Sequence, residues 1–321
     1  MTRVSKALVT GGAGFIGSHI VDELIGRGIE TIVLDNFTTG SMKNLERHAG
    51  SGLLQVFTGD VAKVAHVLDG VKEIDVVFHE AAIASVKKSV EDPTLVHHVN
   101  VDSTLDLMNF CVNRRIRRLV FASSAAVYGS LRDIPASEDQ LCAPASPYGS
   151  SKLAVECYLS SYYKTYGLET VGLRYFNVYG PRQKMNDYSG VITIFADNLI
   201  RGRAPTIFGD GSQTRDFVFV KDIVQANMLA MTSDEAAGEV FNVASGSSTR
   251  VLELFDTLRD ILREGNVRPQ FAPERLGDVR FGRASISKIQ TVLGYHPTAS
   301  LRDGLSQFID VVGARPRIIS T

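Results

Sequence analysis

Leu8-Val-Thr-Gly-Gly-Ala-Gly-Phe-Ile-Gly-Ser18 (LVTGGAGFIGS) runs from an apolar stretch through spaced glycines into a helix-like pattern. Gly11, Gly14 and Gly17 form GxxGxxG, and Gly12, Gly14 and Gly17 form GxGxxG. A glycine pattern alone is weak, but the strand before it and the helix after it are the required context. Glycines permit the tight turn and let backbone N–H groups approach a pyrophosphate, whose charge the helix N-terminus then stabilises. Asp35 closes the next apolar run. A carboxylate there accepts bonds from both hydroxyls of an adenosine ribose and repels a 2′-phosphate. No Arg directly follows it, so the pattern favours NAD over NADP.

The same alternation continues outward. Strands are expected at Lys6–Thr10, Thr31–Asp35, Leu53–Thr58, Val76–His79, Leu119–Ser123 and Thr170–Tyr175, with helices at Phe15–Arg27, Val96–Asn113 and Tyr148–Tyr166 between some of them. Strand and helix in alternation imply a parallel sheet covered on both faces. Beyond Asn177–Pro181 the chain gains Gly and Pro punctuation. The expected fold is therefore α/β: a Rossmann-type doubly wound parallel sheet in residues 1–176 and a smaller α/β substrate domain in 177–321. Glu239-Val-Phe-Asn-Val-Ala244 reads as a strand returning to the first sheet.

Bulk properties narrow the function classes. The 321 residues are 44% hydrophobic and 21% charged, enough for a sizeable core. A formal net charge of −1 gives no global field for nucleic acid or a membrane surface. The basic run Arg114-Arg-Ile-Arg-Arg118 suits a helix C-terminus. Cys111, Cys142 and Cys157 are widely spaced without CxxC, which points away from a disulfide framework or zinc and toward a reducing compartment. No secretory segment precedes Gly11 and no apolar run reaches the ~18 residues of a membrane span. The expectation is a soluble cytoplasmic protein. His97-His98 and Asp92 do not make a metal site, since adjacent histidines on a helix point apart, and no metal is expected.

Tyr148 and Lys152 stand four apart in Ser-Pro-Tyr-Gly-Ser-Ser-Lys, on one helix face. An ammonium near a phenol favours the phenolate, lowering the Tyr pKa from about 10 toward use as a general base. YxxxK is a frequent coincidence, but Pro147 suits a helix start, and Ser123 and Ser124 end a strand where an open sheet places its crevice.

With these residues the chain resembles the extended short-chain dehydrogenase/reductases, specifically nucleotide-sugar epimerases of the UDP-glucose (UDP-galactose) 4-epimerase type. The resemblance rests on TGGAGFIGS, Asp35, Gly59-Asp60-Val61, His79-Glu-Ala-Ala82, Asn100, Ser123-Ser-Ala-Ala-Val-Tyr-Gly129, Tyr148/Lys152, Arg174-Tyr-Phe-Asn-Val-Tyr-Gly-Pro-Arg182, Gly209-Asp-Gly-Ser-Gln-Thr-Arg-Asp-Phe217 and Pro273-Glu-Arg-Leu-Gly-Asp-Val279. It implies that Gly11, Gly14, Phe15, Ile16 and Gly17 hold the pyrophosphate of NAD. Asp35 and Asn36 would hold the adenosine ribose, Asp60 and Val61 flank the adenine, and Ala81, Ala82 and Asn100 line the cofactor channel. Ser124, Tyr148 and Lys152 would be catalytic, with Tyr148 and Lys152 also at the nicotinamide ribose. Asn177, Val191, Thr206, Phe208, Arg215, Arg275 and Asp278 would grip the nucleoside diphosphate. Two guanidiniums suit a pyrophosphate.

The resemblance also bears on the reaction. The 4,6-dehydratases carry an acid pair after the strand-5 Ser/Thr, and the UDP-glucuronate decarboxylases commonly carry Ser-Glu. This chain has Ala125-Ala126, which neither donates nor accepts a proton. What remains is transient oxidation at carbon 4, rotation of the 4-keto sugar and return of the hydride. Gly282, aligned with the family's gatekeeper, implies a pocket that admits N-acetylated sugars. Uronate epimerases share the frame, and Arg182 or Lys87 would be their carboxylate partners. A net dehydrogenase and a non-catalytic NAD-binding protein are the other classes weighed. Glu80 and Ala284-Ser285 depart from the family pattern. The resemblance implies a homodimer through a four-helix bundle of Val96–Asn113 and Tyr148–Tyr166, and a place in galactose metabolism.

Overall fold

The computed structural model describes residues 4–129, 134–184, 190–274 and 282–313. In its first half β1 (Lys6–Thr10), β2 (Glu30–Asp35), β3 (Leu54–Thr58), β4 (Val76–His79), β5 (Arg118–Ser124) and β6 (Glu169–Tyr175) alternate with helical segments. The helices are α1 (Phe15–Gly26), α2 (Val64–Val67), α3 (Val86–Glu91), α4 (Pro93–His97), α5 (Ser103–Asn113) and α6 (Pro147–Tyr166). Each expected strand is present to within a residue at either end. The short apolar runs are strands because both faces are buried, so nothing selects alternation with polar residues.

Side-chain alternation divides the core in two. Ala7, Val9 and Phe78 face Ile20, Val21 and Leu24 of α1. Leu8, Val77, Leu119 and Phe121 face Leu107 and Met108 of α5 and Val155 and Leu159 of α6. Each such large apolar side chain contributes roughly 1.5–3 kcal/mol on burial.

The second half contains β7 (Asn177–Tyr179), α7 (Val191–Ile200), β8 (Thr206–Phe208), β9 (Thr214–Arg215), β10 (Phe217–Phe219), α8 (Val220–Thr232) and β11 (Val240–Val243). It continues with β12 (Thr249–Arg250), α9 (Val251–Leu262), β13 (Gln270–Ala272), α10 (Ser287–Leu293) and α11 (Leu301–Gly313). Among the described residues, seven parallel strands form one sheet in the order β11-β6-β5-β4-β1-β2-β3. This is the Rossmann-type doubly wound α/β fold. The strand expected at 239–244 does return to the sheet, as β11 against β6. Ile223, Val224 and Met228 of α8 join the core beneath the first-half sheet. A separate apolar cluster, including Phe195, Phe255 and Phe308, underlies the remaining C-terminal elements. No helix among the described residues is long and apolar enough to cross a membrane.

One expected helix differs. Val96–Asn113 is not continuous α-helix: α4 passes into a π-helical turn at His98–Asp102 before α5. Such turns are frequent at functional sites, and this one carries the buried Asn100.

Candidate active site

The parallel order reverses between β1 and β4, and the crevice at their C-terminal ends is where an open α/β sheet places its ligand. Gly11 lies there at φ +67°, and its N–H donates to the Leu34 carbonyl at 2.8 Å. A Cβ on Gly11 would stand 2.8 Å from the Ala81 nitrogen, and one on Gly17 would collide with the Gly11 carbonyl oxygen. Gly14 is the N-cap of α1, and neither a side-chain cap nor a first-turn acid occupies that end. The first N–H groups, from Phe15, Ile16 and Gly17, are thus left to an anion.

The Asp35 carboxylate is fixed by the loop it serves. Oδ2 accepts from Ala13 N at 2.9 Å and Oδ1 from Phe37 N at 2.8 Å. Each oxygen retains a lone pair for a ribose hydroxyl. Asn36 Nδ2 donates to Asp60 Oδ2 at 3.2 Å, while Asp60 Oδ1 caps the turn carrying Val61 by accepting from Ala62 N at 3.0 Å. A cradle too narrow for a side chain, an uncapped helix N-terminus and a fixed carboxylate fit a dinucleotide.

Ala81 and Ala82 are half-buried beside the cradle. The buried Asn100 holds this segment in place: Oδ1 accepts from Ile83 N at 2.8 Å, and Nδ2 donates to the Ile83 carbonyl and to Ser151 Oγ, both at 3.1 Å. The sequence reading has Asn100 line the cofactor channel; in the structure its amide bonds the Ile83 backbone and Ser151.

Ser124, Tyr148 and Lys152, expected to be catalytic, lie at or beside the end of β5. Ser124 Oγ accepts from Ala126 N at 3.2 Å, and the Ser124 side chain is hydrogen-bonded to Tyr148. Tyr148 sits in the first turn of α6, which Ser146 caps by accepting from Gly149 N. Lys152 is 4% exposed. Its Nζ donates to the Ala122 carbonyl at 2.7 Å and lies 4.7 Å from the centre of the Phe121 ring. Burial pulls the ammonium down to about 8, against the attraction of Glu80 and Glu156.

The expected depression of the phenol is not found. Burial pushes the Tyr148 pKa up, the Ser124 hydrogen bond lowers it, and Glu80 raises it further. Lys152 is engaged with Ala122 and Phe121, and the burial that hides the phenol outweighs the one lowering contact.

Two buried groupings escape the motif reading. Tyr175 Oη donates to Glu80 Oε1 at 2.8 Å and accepts from Asn227 Nδ2 at 2.7 Å. Burial pushes the Glu80 carboxyl up to about 7, opposed by the Tyr175 bond and Lys152. Glu156 Oε1 accepts from Ser123 Oγ at 2.5 Å, and Arg174 meets both oxygens of that carboxylate at 3.0 and 2.7 Å. Arg174 also donates to Tyr128 Oη at 2.8 Å, and Tyr128 donates to Asn242 Oδ1 at 2.7 Å. This network holds the residue next to Ser124. Glu80, Arg174 and Tyr175 all stand in quoted motifs, but nothing in their spacing says what they touch.

On the substrate side, Asn177 Nδ2 donates to the Asp216 carbonyl at 3.0 Å. Arg215 Nη1 donates to the Thr214 carbonyl at 2.8 Å, and Gly282 N donates to Thr214 Oγ1 at 3.3 Å. A Cβ on Gly282 would be 3.3 Å from the Thr214 carbonyl oxygen and 3.8 Å from Arg215 atoms. The structure therefore brings Asn177, Arg215 and Gly282 around β9. Val191 opens α7, and Thr206 and Phe208 bound β8. Arg275 and Asp278 lie outside the described residues.

Arg182, weighed as a partner for a uronate carboxylate, is engaged with α1. Its Nη2 donates to Asp22 Oδ2 at 2.6 Å and its Nη1 to Ser18 Oγ at 3.0 Å, tying the turn after β7 to α1. Lys87 lies on α3, 3.9 Å from Glu91. His97 and His98 each face Asp102, at 3.6 and 2.9 Å. No group of three or more His, Cys, Asp or Glu among the described residues is placed to hold a metal ion.

Comparison with known proteins agrees with this geometry. Residues 7–244 match the model of the NAD dependent epimerase/dehydratase family. A putative UDP-glucose 4-epimerase of Methanocaldococcus jannaschii is 39% identical over 306 residues, covering 94% of this chain and 97% of that protein. Among solved structures, the UDP-N-acetylglucosamine 4-epimerase from Methanobrevibacter ruminantium, in complex with UDP-N-acetylmuramic acid, superposes with a TM-score of 0.91 at 38% identity, covering 97% and 99% of the two chains. The UDP-glucose 4-epimerase from Thermotoga maritima with UDP-glucose gives 0.90 at 37% identity, covering 96% and 98%. The glycine cradle, the Asp35 carboxylate, the Ser124–Tyr148–Lys152 cluster and these matches together place the chain in the NAD dependent epimerase/dehydratase family, with NAD as its cofactor.

Proposed function

We propose that the protein is a UDP-sugar 4-epimerase that interconverts UDP-glucose and UDP-galactose, admits their N-acetylated counterparts, and keeps NAD bound through the cycle. The observation that carries this reading is the grouping at the end of β5: Ser124 bonded to Tyr148, Lys152 one helical turn on and bonded to Ala122, and only Ala125-Ala126 after Ser124. NAD, which Gly11, Gly14 and Asp35 would hold, would supply the hydride acceptor and donor for carbon 4. Tyr148 takes the proton of the 4-hydroxyl and gives it back, and Ser124 bridges sugar oxygen and phenol. Lys152 stands as the nearby cation. Elimination or decarboxylation needs a further acid and base, which two alanines do not supply. After oxidation, the 4-keto sugar turns and is reduced on its other face.

Gly282 beside Arg215 supports the roomy pocket, since a large side chain there would project into the space next to the guanidinium. The engagement of Arg182 with α1 removes one support for a uronate substrate. In this reading residues 1–176 bind NAD and residues 177–321 bind the nucleotide sugar. Asn36, Asp60 and Val61 serve the adenosine end, and Val191, Thr206, Phe208, Arg275 and Asp278 the nucleoside diphosphate. The reading includes a homodimer through the helical layer of α4 to α6, on which Leu95 and Tyr158 are exposed, a cytoplasmic location and service to galactose metabolism.

The test is a product assay without added cofactor. Purified protein is incubated separately with UDP-glucose, UDP-N-acetylglucosamine and UDP-glucuronate. The expected result is the 4-epimer of the first two. A product of different mass, or turnover only with added NAD, would overturn the reading.

A further inference from the structure

Asp216 follows Arg215 and is fully buried, at 0% exposure. Burying a carboxylate is costly unless donors replace its water, and here the carboxylate is met by donors. Oδ1 accepts from Ser245 N at 2.8 Å and Ser245 Oγ at 2.7 Å. Oδ2 accepts from Ala284 N at 3.3 Å. The backbone carbonyl of the same residue accepts from Asn177 N at 3.1 Å and Asn177 Nδ2 at 3.0 Å. Burial raises the carboxyl pKa, and the bonds from Ser245, Ala284 and Gly246 pull it back.

Segments distant in sequence thus converge on one residue. They carry Asn177, Arg215 itself, the Ser245–Gly246 turn, and Ala284 just after Gly282. Sheet pairing does little to fix them: β9 pairs with β12 over two residues, and β7 with β10 over three. In the seven-stranded sheet, by contrast, β5 and β6 pair over seven. Where ladders are this short, a buried acceptor that draws in donors from separate segments sets their spacing.

Resting on the reading above, in which Asn177 and Arg215 grip the nucleoside diphosphate and Gly282 borders the sugar, we propose that Asp216 is a positioning residue for that grip. Its carboxylate ties the strand end of Arg215 to the Ser245–Gly246 turn and to Ala284 beside Gly282, while its backbone carbonyl holds Asn177, without touching substrate. The residue must be an acid because its side-chain partners all donate. An amide of the same shape would turn an NH2 toward Ser245 or Ala284 and leave one donor unbonded.

The experiment uses the full chain with its bound NAD and UDP as the probe. UDP affinity is measured by calorimetry for wild type, Asp216→Asn and Ser245→Ala, together with NAD content and steady-state kinetics. Asp216→Asn is expected to weaken UDP about tenfold and raise KM similarly, while NAD content and kcat stay within about twofold. Ser245→Ala, which removes one bond and keeps the acid, is expected to cost about threefold in UDP affinity alone. UDP binding unchanged in either soluble variant overturns the proposal, as does a parallel loss of NAD, which would mark a general structural defect. If Asp216→Asn does not fold, Ser245→Ala decides by the same criteria. Failure of wild type to bind UDP overturns the nucleotide reading of the site, and this proposal with it, and is distinguished by the wild-type titration.

Discussion

The two ends of the crevice are built by different means. At the NAD end, Gly11, Gly14 and Asp35 lie at the tips of β1, α1 and β2, whose positions follow from a parallel ladder buried on both faces. At the sugar end, Asn177, Arg215 and Gly282 lie on two- and three-residue strands or on none, and side chains such as Asp216 and Thr214 do the joining. A long ladder spreads the cost of a local change over many hydrogen bonds. A side-chain junction concentrates it in one or two groups. The NAD end should therefore fail through loss of a specific contact, and the sugar end through altered affinity and selectivity.

The sharpest contrast comes from the residue between the two ends. Tyr148→Phe removes the proton acceptor and leaves the glycine cradle untouched. Turnover should fall by about 10³-fold or more, with NAD still present in the purified protein, as read from its extracted nucleotide. Appreciable activity in the Phe variant would refute the base assignment. Next in size is Asp35→Ala, which deletes the carboxylate bonded to Ala13 and Phe37. Retained NAD should fall at least about tenfold, while UDP affinity holds. If cofactor content is unchanged, Asp35 has no ribose role.

Gly282→Tyr probes the other end. It should cut epimerisation of the N-acetylated sugars about tenfold more than that of the hexoses, with NAD content constant. Equal losses would remove the gatekeeper claim. Smallest is a pH effect at Glu80, whose buried carboxyl sits at about 7 against an ordinary 4.5. A carboxyl with a raised pKa binds its proton more tightly folded than unfolded, so its contribution to stability is lost as pH rises from about 4.5 through 7. Glu80→Gln keeps an acceptor for Tyr175 but cannot ionise. Its Tm relative to wild type should rise by a few degrees between pH 5 and pH 8, and a difference independent of pH would contradict the shift.

Much of the NAD end was legible in the chain because its signals are local. The strand, glycine loop and helix are contiguous, Asp35 closes the next strand, and Tyr148 and Lys152 are neighbours on one helix face. Residues whose partners lie far along the chain were not legible. Arg182 reads as an exposed cation until α1 is beside it, 160 residues earlier in sequence. The bond of Asn100 to Ile83 across the π-helical turn could not be read from its place in the chain. The phenol of Tyr148 was expected to be lowered because i to i+4 spacing predicts proximity to Lys152. Proximity does not specify that the ammonium bonds Ala122, or that burial governs the phenol.

Sequence alone determined the parallel α/β sheet, the dinucleotide loop and the shared helix of Tyr148 and Lys152, because hydrophobic period, glycine spacing and helical spacing are short-range properties of a chain. Tertiary structure alone decided which carboxylates are buried, which cations are tethers and how Asn177 and Gly282 come beside Thr214–Asp216. Those outcomes depend on burial and on contacts between distant segments, and both exist only once β11 has returned to β6 and Ala284 has reached Asp216.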